Sequence, residues 1–312
     1  MRRPPDAPAV LSEEDVAAVP VDPAGTMAAV EAALLAAKAG EAHSVPKAAL
    51  HLPPAALYHA MPAVLPDLAI LKWVVIGGAS GGRIEATILA NDPASGRLIA
   101  ILGGNEITAR RTAAVSAIAL RHLLPPRGEL SLAIVGCGRE GRAHLPFLAA
   151  SAPSIRSVRL ASRTRASAEA LRPDAEALFG AASVVDGPEE AVEGADVVLS
   201  AVTFARGAPP AFDAERMAAD GVLLAVDLGI GCRLDRLGTF AYRVTDDAAH
   251  AGPAIEKGMM PDIRPFDADI AALLLGTAPP RPAGRVLVLP PGLAVADAGA
   301  ARHVLARAGL LP

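Results

Sequence analysis

Residues Ile134-Val135-Gly136-Cys137-Gly138-Arg139-Glu140-Gly141 fit the pattern Gly-x-Gly-x-x-Gly. They follow the apolar run Glu129–Val135 and open a stretch with helical spacing, the strand–turn–helix context that phosphate cradles require. Gly136 allows the tight turn, Gly138 lets backbone approach a pyrophosphate, and Gly141 lets the helix pack close to the strand. The free N–H groups and positive dipole end of that helix favour phosphate. The pattern points to a dinucleotide, and a plain tight turn is the alternative. Arg139 and Glu140 in the turn, and Thr203 directly after the apolar run Val197–Val202, join the candidate cofactor-binding residues. About 20 residues beyond such a turn, an acid normally meets the adenosine ribose. Here Ser162-Arg163-Thr164-Arg165 stands instead. Guanidinium and hydroxyl groups suit a 2′-phosphate, so NADP(H) is preferred over NAD(H). A solvated arginine at a helix start is the alternative.

Three further features could carry chemistry. Lys72 lies inside Ile70-Leu71-Lys72-Trp73-Val74-Val75-Ile76, and a lysine in a buried strand is unfavourable unless paired or used. It either serves a reaction or snorkels from a strand edge. Arg110 and Arg111 follow Thr108, which reads as an N-cap, and this places two cations in a helix's first turn, against the dipole. A bound anion would offset that, and a surface ion pair is the other reading. Asp227, after the apolar run Val222–Val226, stands at the strand end where open α/β sheets bind ligands. It either handles a proton or caps its loop.

Other chemistries find no support. Gly78-Ala79-Ser80-Gly81-Gly82 matches Gly-x-Ser-x-Gly by letter, but strand-like sequence follows where a nucleophile elbow needs a helix. The seven histidines, two cysteines and six methionines show no metal-ligand spacing, so no metal is expected. A net charge of −4 without long runs of one sign argues against nucleic acid as a partner. The polar start does not read as a signal peptide, and no apolar run reaches the roughly 18 residues that span a bilayer. A cytoplasmic protein is expected.

The elements that must hold these residues fall into two sets. The length of 312 residues suggests two domains. In the first part, the spacing predicts a helix over Pro23–Ala39, a strand over Ala69–Ile76, a hairpin of Arg83–Ala90 and Arg97–Leu102, and a helix over Ala109–Leu124. Beyond Pro125-Pro126-Arg127-Gly128, strands and helices alternate, which predicts a parallel sheet with helices on both faces. The expected fold is α/β: a Rossmann doubly wound parallel sheet over 127–290, plus an α+β domain over 1–126. A last helix over Ala294–Ala308 follows Pro290-Pro291-Gly292.

Taken in order, these residues resemble the ornithine cyclodeaminase/μ-crystallin family across nearly the whole chain. His59-Ala60-Met61-Pro62 is similar to the family's Met-Pro segment, Lys72 to its strand lysine, and Ser95–Ala100 to its hairpin. Ile107–Ala114 is similar to its Thr-Ala-x-Arg-Thr-Ala-Ala signature, and Gly292-Leu293-Ala294-Val295-Ala296-Asp297 to its closing Gly-x-Ala-x-x-Asp. The resemblance implies that 1–126 is a substrate-binding and dimerisation domain, that a homodimer is joined through its strands, and that the closing helix within 291–312 returns to it. It implies that Lys72 meets the substrate near the hydride-transfer carbon, that Arg111 clamps its carboxylate, and that Met61 and Lys47 line its site. Arg111 and Thr112 would lie near the cofactor phosphates. Two departures stand out. Lys47 occupies a position where the family usually has arginine, which keeps the charge but loses the bidentate fork. The loop Ala225–Cys232 has Asp227 displaced from the family's Gly-Gly-Asp-x-Pro-Gly pattern. The resemblance implies an NAD(P)-dependent reaction at the α-carbon of a small amino or imino acid, with ornithine cyclodeamination as prototype. The alternatives are reduction of a cyclic imino acid, amino-acid dehydrogenation, and non-catalytic NADP(H) binding.

Overall fold

The computed structural model describes residues 7–20, 22–52, 56–77, 84–124, 128–203 and 209–311. In chain order the elements begin β1 (Ala9–Leu11), α1 (Glu13–Ala18), α2 (Pro23–Ala39), β2 (His43–Ser44), β3 (Ala48–Leu52), β4 (Ala56–Leu65), β5 (Leu68–Gly77), β6 (Ile84–Asn91), β7 (Leu98–Gly103) and α3 (Gly104–Leu123). Next come β8 (Leu130–Val135), α4 (Arg139–Ser151), β9 (Ile155–Ala161), α5 (Arg165–Phe179), β10 (Ala181–Val184), α6 (Pro188–Val192), β11 (Val197–Ser200) and β12 (Val222–Ala225). The chain ends with β13 (Phe240–Thr245), α7 (Ala248–Glu256), β14 (Ala268–Asp269), α8 (Ile270–Leu275), β15 (Arg285–Val288) and α9 (Ala294–Arg307). Contacts divide it into two compact units, Met1–Arg111 with Gly292–Pro312, and Thr112–Pro291. That division falls within α3; residues 126 and 127, where the sequence suggested a junction, lie outside the described residues, as does the 78–82 stretch.

In the first unit a mixed sheet runs in the order β1-β7-β6-β5-β4-β2, with β3 also on β4. Alternation along each strand separates two faces. Met61, Ala63, Ile70, Lys72, Val74 and Ile88 are buried on one of them, and α9 packs on β4 and β5. The first eight residues of α9, Ala294–Ala301, are all buried and mostly small. A Cβ at Gly299 would stand 2.7 Å from the Ala29 carbonyl, so the approach of α9 to α2 requires that glycine. The hairpin of β6 and β7 closes as the turn residues predict. Asp92 N–H donates to the Arg97 carbonyl at 2.9 Å, and Gly96 takes the left-handed conformation at φ 72°.

The start of α3 differs from expectation. The helix begins at Gly104, and Thr108 lies inside it, its hydroxyl donating to the Gly104 carbonyl. The cap comes from afar: the Glu13 carboxylate accepts from the N–H groups of Asn105 and Glu106 at 2.7 and 3.0 Å. Arg110 and Arg111 are therefore not in the first turn, and no anion is needed to offset the dipole there.

In the second unit every pairing of the eight strands is parallel, in the order β10-β9-β8-β11-β12-β15-β13-β14. Strands β11 and β12 are buried along their whole length, as a sheet covered on both faces requires. The strand order reverses between β8 and β11, which places a switch point beside the carboxyl ends of these two strands. Helix α5 runs without interruption through Pro173.

Candidate functional site

The first unit holds a buried ionic cluster. Strand β5 lies inside the sheet, between β4 and β6, and turns Lys72 to the buried face, where it is 2% exposed. The edge-snorkelling reading is thereby excluded. The Lys72 ammonium donates to Asp297 Oδ1 at 2.8 Å, and Arg111 Nε donates to the same oxygen at 3.0 Å. Asp297 is completely buried. Burial pushes its carboxyl pKa up, but Lys72 and Arg111, with Lys47 behind them, outweigh that and hold it below the ordinary range. Met61 pairs across the strands with Lys72 and is buried beside it. His59, two residues along β4, is pushed down to about 4 by burial and by Lys47, His51 and Lys72, so it is neutral at pH 7. Three cations thus act on one carboxylate. Such an excess of positive charge in a poorly solvated place suits an anion.

Arg110 does not join this cluster. It pairs with Glu106 at 2.8 Å and donates to the Ala17 carbonyl at 3.1 Å. Gly292 does bear on it. At φ 93° it takes a conformation open to glycine, and a Cβ there would stand 2.8 Å from Arg111 Nη1. A side chain at 292 would displace the guanidinium.

The second unit holds the glycine turn, at the switch point. Gly136 has φ 105°, and a Cβ there would collide with the Ala201 carbonyl at the end of β11; one at Gly141 would collide with the Gly136 carbonyl. A Cβ at Gly138 would meet nothing. Gly138 is the N-cap of α4 and no side chain caps that helix, in contrast to α3 with Glu13. The turn therefore offers open space and the N–H groups of a helix start to a phosphate. Arg139 is exposed and Glu140 half-buried, the Glu140 carbonyl accepting from His144 Nδ1 at 2.7 Å. Burial pushes the Cys137 thiol up to about 11, which leaves it a packing residue. Ser162 accepts from the Cys137 N–H at 3.4 Å, and Thr164 caps α5. Arg163 and Thr203 are exposed, and Thr112 is buried. Arg165 is committed to Asp186 and Glu169, at 3.0 and 3.4 Å, so Arg163 is left as the guanidinium beside Ser162 that could meet a 2′-phosphate.

Asp227 is turned inward. Its carboxylate accepts from the Ser200 hydroxyl at 2.6 Å, the Gly229 N–H at 3.0 Å and the Val202 N–H at 3.2 Å. The loop it closes carries strain, with the non-glycine Leu228 at φ 59°. Burial pushes the Asp227 pKa up, against the donors that favour its charged form. Among the described residues no group of three or more His, Cys, Asp or Glu is placed to hold a metal ion, and no helix is long and apolar enough to cross a membrane.

The structure thus gathers Lys47, Met61, Lys72 and Arg111 in one unit, and Gly136, Gly138, Gly141 and Ser162 in the other. The sequence reading placed Asp297 only in a closing motif and assigned it no role. A lone acid in an alanine-rich apolar helix was the available signal.

Residues 8–233 match the model of the ornithine cyclodeaminase/mu-crystallin family. Among curated proteins, a ketimine reductase mu-crystallin of Rattus norvegicus is 44% identical over 85 residues, 27% of this chain and 26% of that protein. A Delta(1)-pyrroline-2-carboxylate/Delta(1)-piperideine-2-carboxylate reductase of Azospirillum brasilense is 33% identical over 153 residues, 47% of this chain and 48% of that protein. The matched stretches thus span between about a quarter and a half of these relatives. Among solved structures, Thermococcus litoralis Delta(1)-pyrroline-2-carboxylate reductase in complex with NADH and L-proline superposes with a TM-score of 0.81, at 20% identity, over 96% of this chain and 97% of that one. It shares the fold.

Proposed function

This chain belongs to the ornithine cyclodeaminase/mu-crystallin family, and we propose that it is an NAD(P)-dependent oxidoreductase reducing a small α-imino acid, a cyclic one foremost. The observation that carries this reading is the convergence of Lys72 and Arg111, with Lys47 near, on a buried site with excess positive charge. That charge suits the carboxylate of an α-imino acid. A protein that only stored a dinucleotide would need neither buried cation. The relatives bearing the names ketimine reductase and pyrroline-2-carboxylate reductase support the same class.

The glycine turn fits a dinucleotide, because the space beside Gly138 is open and Gly138, the N-cap of α4, brings no side chain into it. A dinucleotide held there would supply hydride chemistry. The chain's own residues do the rest. Arg111 and Lys47 hold the substrate carboxylate. Lys72 stands by the imine nitrogen and keeps its proton in place while the C=N bond becomes C–N. Met61 shields the lysine from water. Asp227 ties its loop to the end of β11 rather than handling a proton, since neutral donors already fill its carboxylate. This favours reduction over cyclodeamination, which calls for a further acid or base. Arg163 favours NADP(H) over NAD(H). We also propose a homodimer, because the sheet face opposite α9 exposes Leu50, Val64, Leu71 and Trp73, an apolar patch that a second copy would cover.

The test is direct. With NADPH and pyrroline-2-carboxylate, nicotinamide absorbance falls and proline accumulates. With NAD+ and ornithine, no ammonia is released. Ammonia and proline from ornithine would replace reduction with cyclodeamination, and failure to bind either nucleotide would end the oxidoreductase reading.

A further inference from the structure

We infer that Asp297 is the positioning residue of the cationic cluster: one oxygen of its carboxylate fixes the Lys72 ammonium and the Arg111 guanidinium, and takes the arginine by Nε so that its terminal fork is kept for a ligand carboxylate. The inference rests on the imino-acid reading of the same site. Lys72 comes from the middle of β5, Arg111 from α3 and Asp297 from the first turn of α9, so three elements meet at one atom, Oδ1. Only Nε of Arg111 is used in that contact. Its Nη1 and Nη2 are not part of the bond to Oδ1. They lie where a Cβ at Gly292 would stand, 2.8 and 2.9 Å away. An arginine bound side-on would engage a carboxylate through Nε and Nη2 together. Here Asp297 Oδ2 is buried without a hydrogen-bond partner among the described residues, which shows that the contact is single-pronged. The fork is therefore oriented by Asp297 without being consumed by it. A planar two-oxygen acceptor is what such a fork recognises.

The aspartate also has no second duty in view. It sits among Ala294, Val295, Ala296, Ala298 and Gly299, all buried, and the helix terminus it occupies favours an acid. Its effect on a substrate must pass through the two cations, because its own side chain is fully buried.

The experiment compares wild type with Asp297→Asn and Asp297→Glu, in the full chain. The non-reacting carboxylate pyrrole-2-carboxylate is titrated by calorimetry into protein loaded with NADPH, and the KM for pyrroline-2-carboxylate is measured alongside. In Asp297→Asn, analogue affinity falls and KM rises about 30-fold or more, while the NADPH Kd stays within about twofold. Asp297→Glu, with its charge moved outward by one carbon, recovers the melting temperature but not the analogue affinity, which separates position from charge alone. Unchanged analogue affinity in Asp297→Asn overturns the inference, as does an equal loss of analogue and NADPH affinity in both variants. Should wild type bind the analogue in an Asp297-dependent way yet reduce nothing, the inference stands and the reductase reading falls. Should Asp297→Asn reduce the imine as wild type does, the reverse holds.

Discussion

Asp297 in the first unit and Asp227 in the second are both buried aspartates, yet one is surrounded by cations and the other by neutral donors. Burial acts on both in the same direction, raising the pKa. At Asp297, Lys72 and Arg111 overcome that term and the carboxyl falls below its ordinary range. At Asp227, one hydroxyl and a few backbone N–H groups do not overcome it, and the carboxyl rises. The same side chain thus performs two kinds of work. Asp297 is an electrostatic fixture that holds the Lys72 and Arg111 charges together. Asp227 is a mechanical tie, joining the end of β11 to the loop after β12. Because Gly136 packs against the Ala201 carbonyl, that tie also bears on the glycine turn.

The sharpest way to break the comparison is to remove each carboxylate and follow stability. Asp297→Ala strands two buried cations and costs about 3–5 kcal/mol, read by urea denaturation at pH 7. Acidification then distinguishes the two sites by sign. Asp297 has a depressed folded pKa, so its contribution is complete above the ordinary value of 3.8 and is lost as pH falls through the folded pKa. The deficit of Asp297→Asn therefore shrinks on acidification. Asp227 has a raised folded pKa, so wild type is penalised as pH rises from 3.8 toward that value, and its margin over Asp227→Asn narrows as pH rises. Deficits that follow pH in the same direction would erase the distinction.

Next in size is the tie itself. Asp227→Asn leaves two N–H donors facing an amide and costs about 1–3 kcal/mol. As loop 201–203 loosens, NADPH affinity drops about tenfold, a shift worth about 1.4 kcal/mol, while the pH limbs of kcat/KM stay where wild type has them. A limb that disappears in this variant would make Asp227 a proton-transfer group instead.

What was legible in the chain divides along the same line. The glycine turn could be read because its three glycines, its strand and its helix are sequence neighbours, and each steric reason is local. Lys72 could be suspected from its apolar surroundings, but its partner lies 225 positions away and no spacing rule reaches that far. The start of α3 was misplaced for a related reason. Thr108 satisfies a local cap pattern, whereas the actual cap, Glu13, is 92 positions from Asn105. Strand β4 escaped notice because Pro62 interrupts the strand-like signal, although its register with β5 sets Met61 beside Lys72. The eight-stranded parallel sheet was foreseeable from alternation, but the insertion of β15 between β12 and β13 was not, since strand order depends on contacts far apart in sequence.

The glycines of the turn sharpen the picture without touching charge. Gly136→Ala forces a side chain at φ 105° into the Ala201 carbonyl and costs about 1–3 kcal/mol of stability. Gly138→Ala meets open space, so its melting temperature changes little, by less than about 1 kcal/mol in stability. The added methyl would occupy the room a pyrophosphate needs, and NADPH affinity would fall about tenfold. Equal stability losses at 136 and 138 would mean that the space beside Gly138 serves packing rather than a ligand.

The smallest expected effect concerns which nucleotide is preferred. Arg165 is held by Asp186 and Glu169, and exposed ion pairs of that kind contribute under about 1 kcal/mol, so it is held loosely but has partners. Arg163 stands exposed beside Ser162, and no such ion pair holds it among the described residues. If it meets a 2′-phosphate, it does so in water, where one charge-assisted contact is worth about 1–1.5 kcal/mol. Arg163→Ser should therefore weaken NADPH about tenfold and leave NADH within about twofold, measured by fluorescence titration at low and at moderate salt. The effect should shrink as salt rises, because the contact is solvent-facing. Arg165→Ser should do less, since breaking its ion pairs frees acids that repel a phosphate but removes no contact from it. If both variants leave the NADPH-to-NADH ratio unchanged, the ribose end of the turn carries no phosphate preference. The charge that selects ligands in this chain would then lie in the cluster around Asp297.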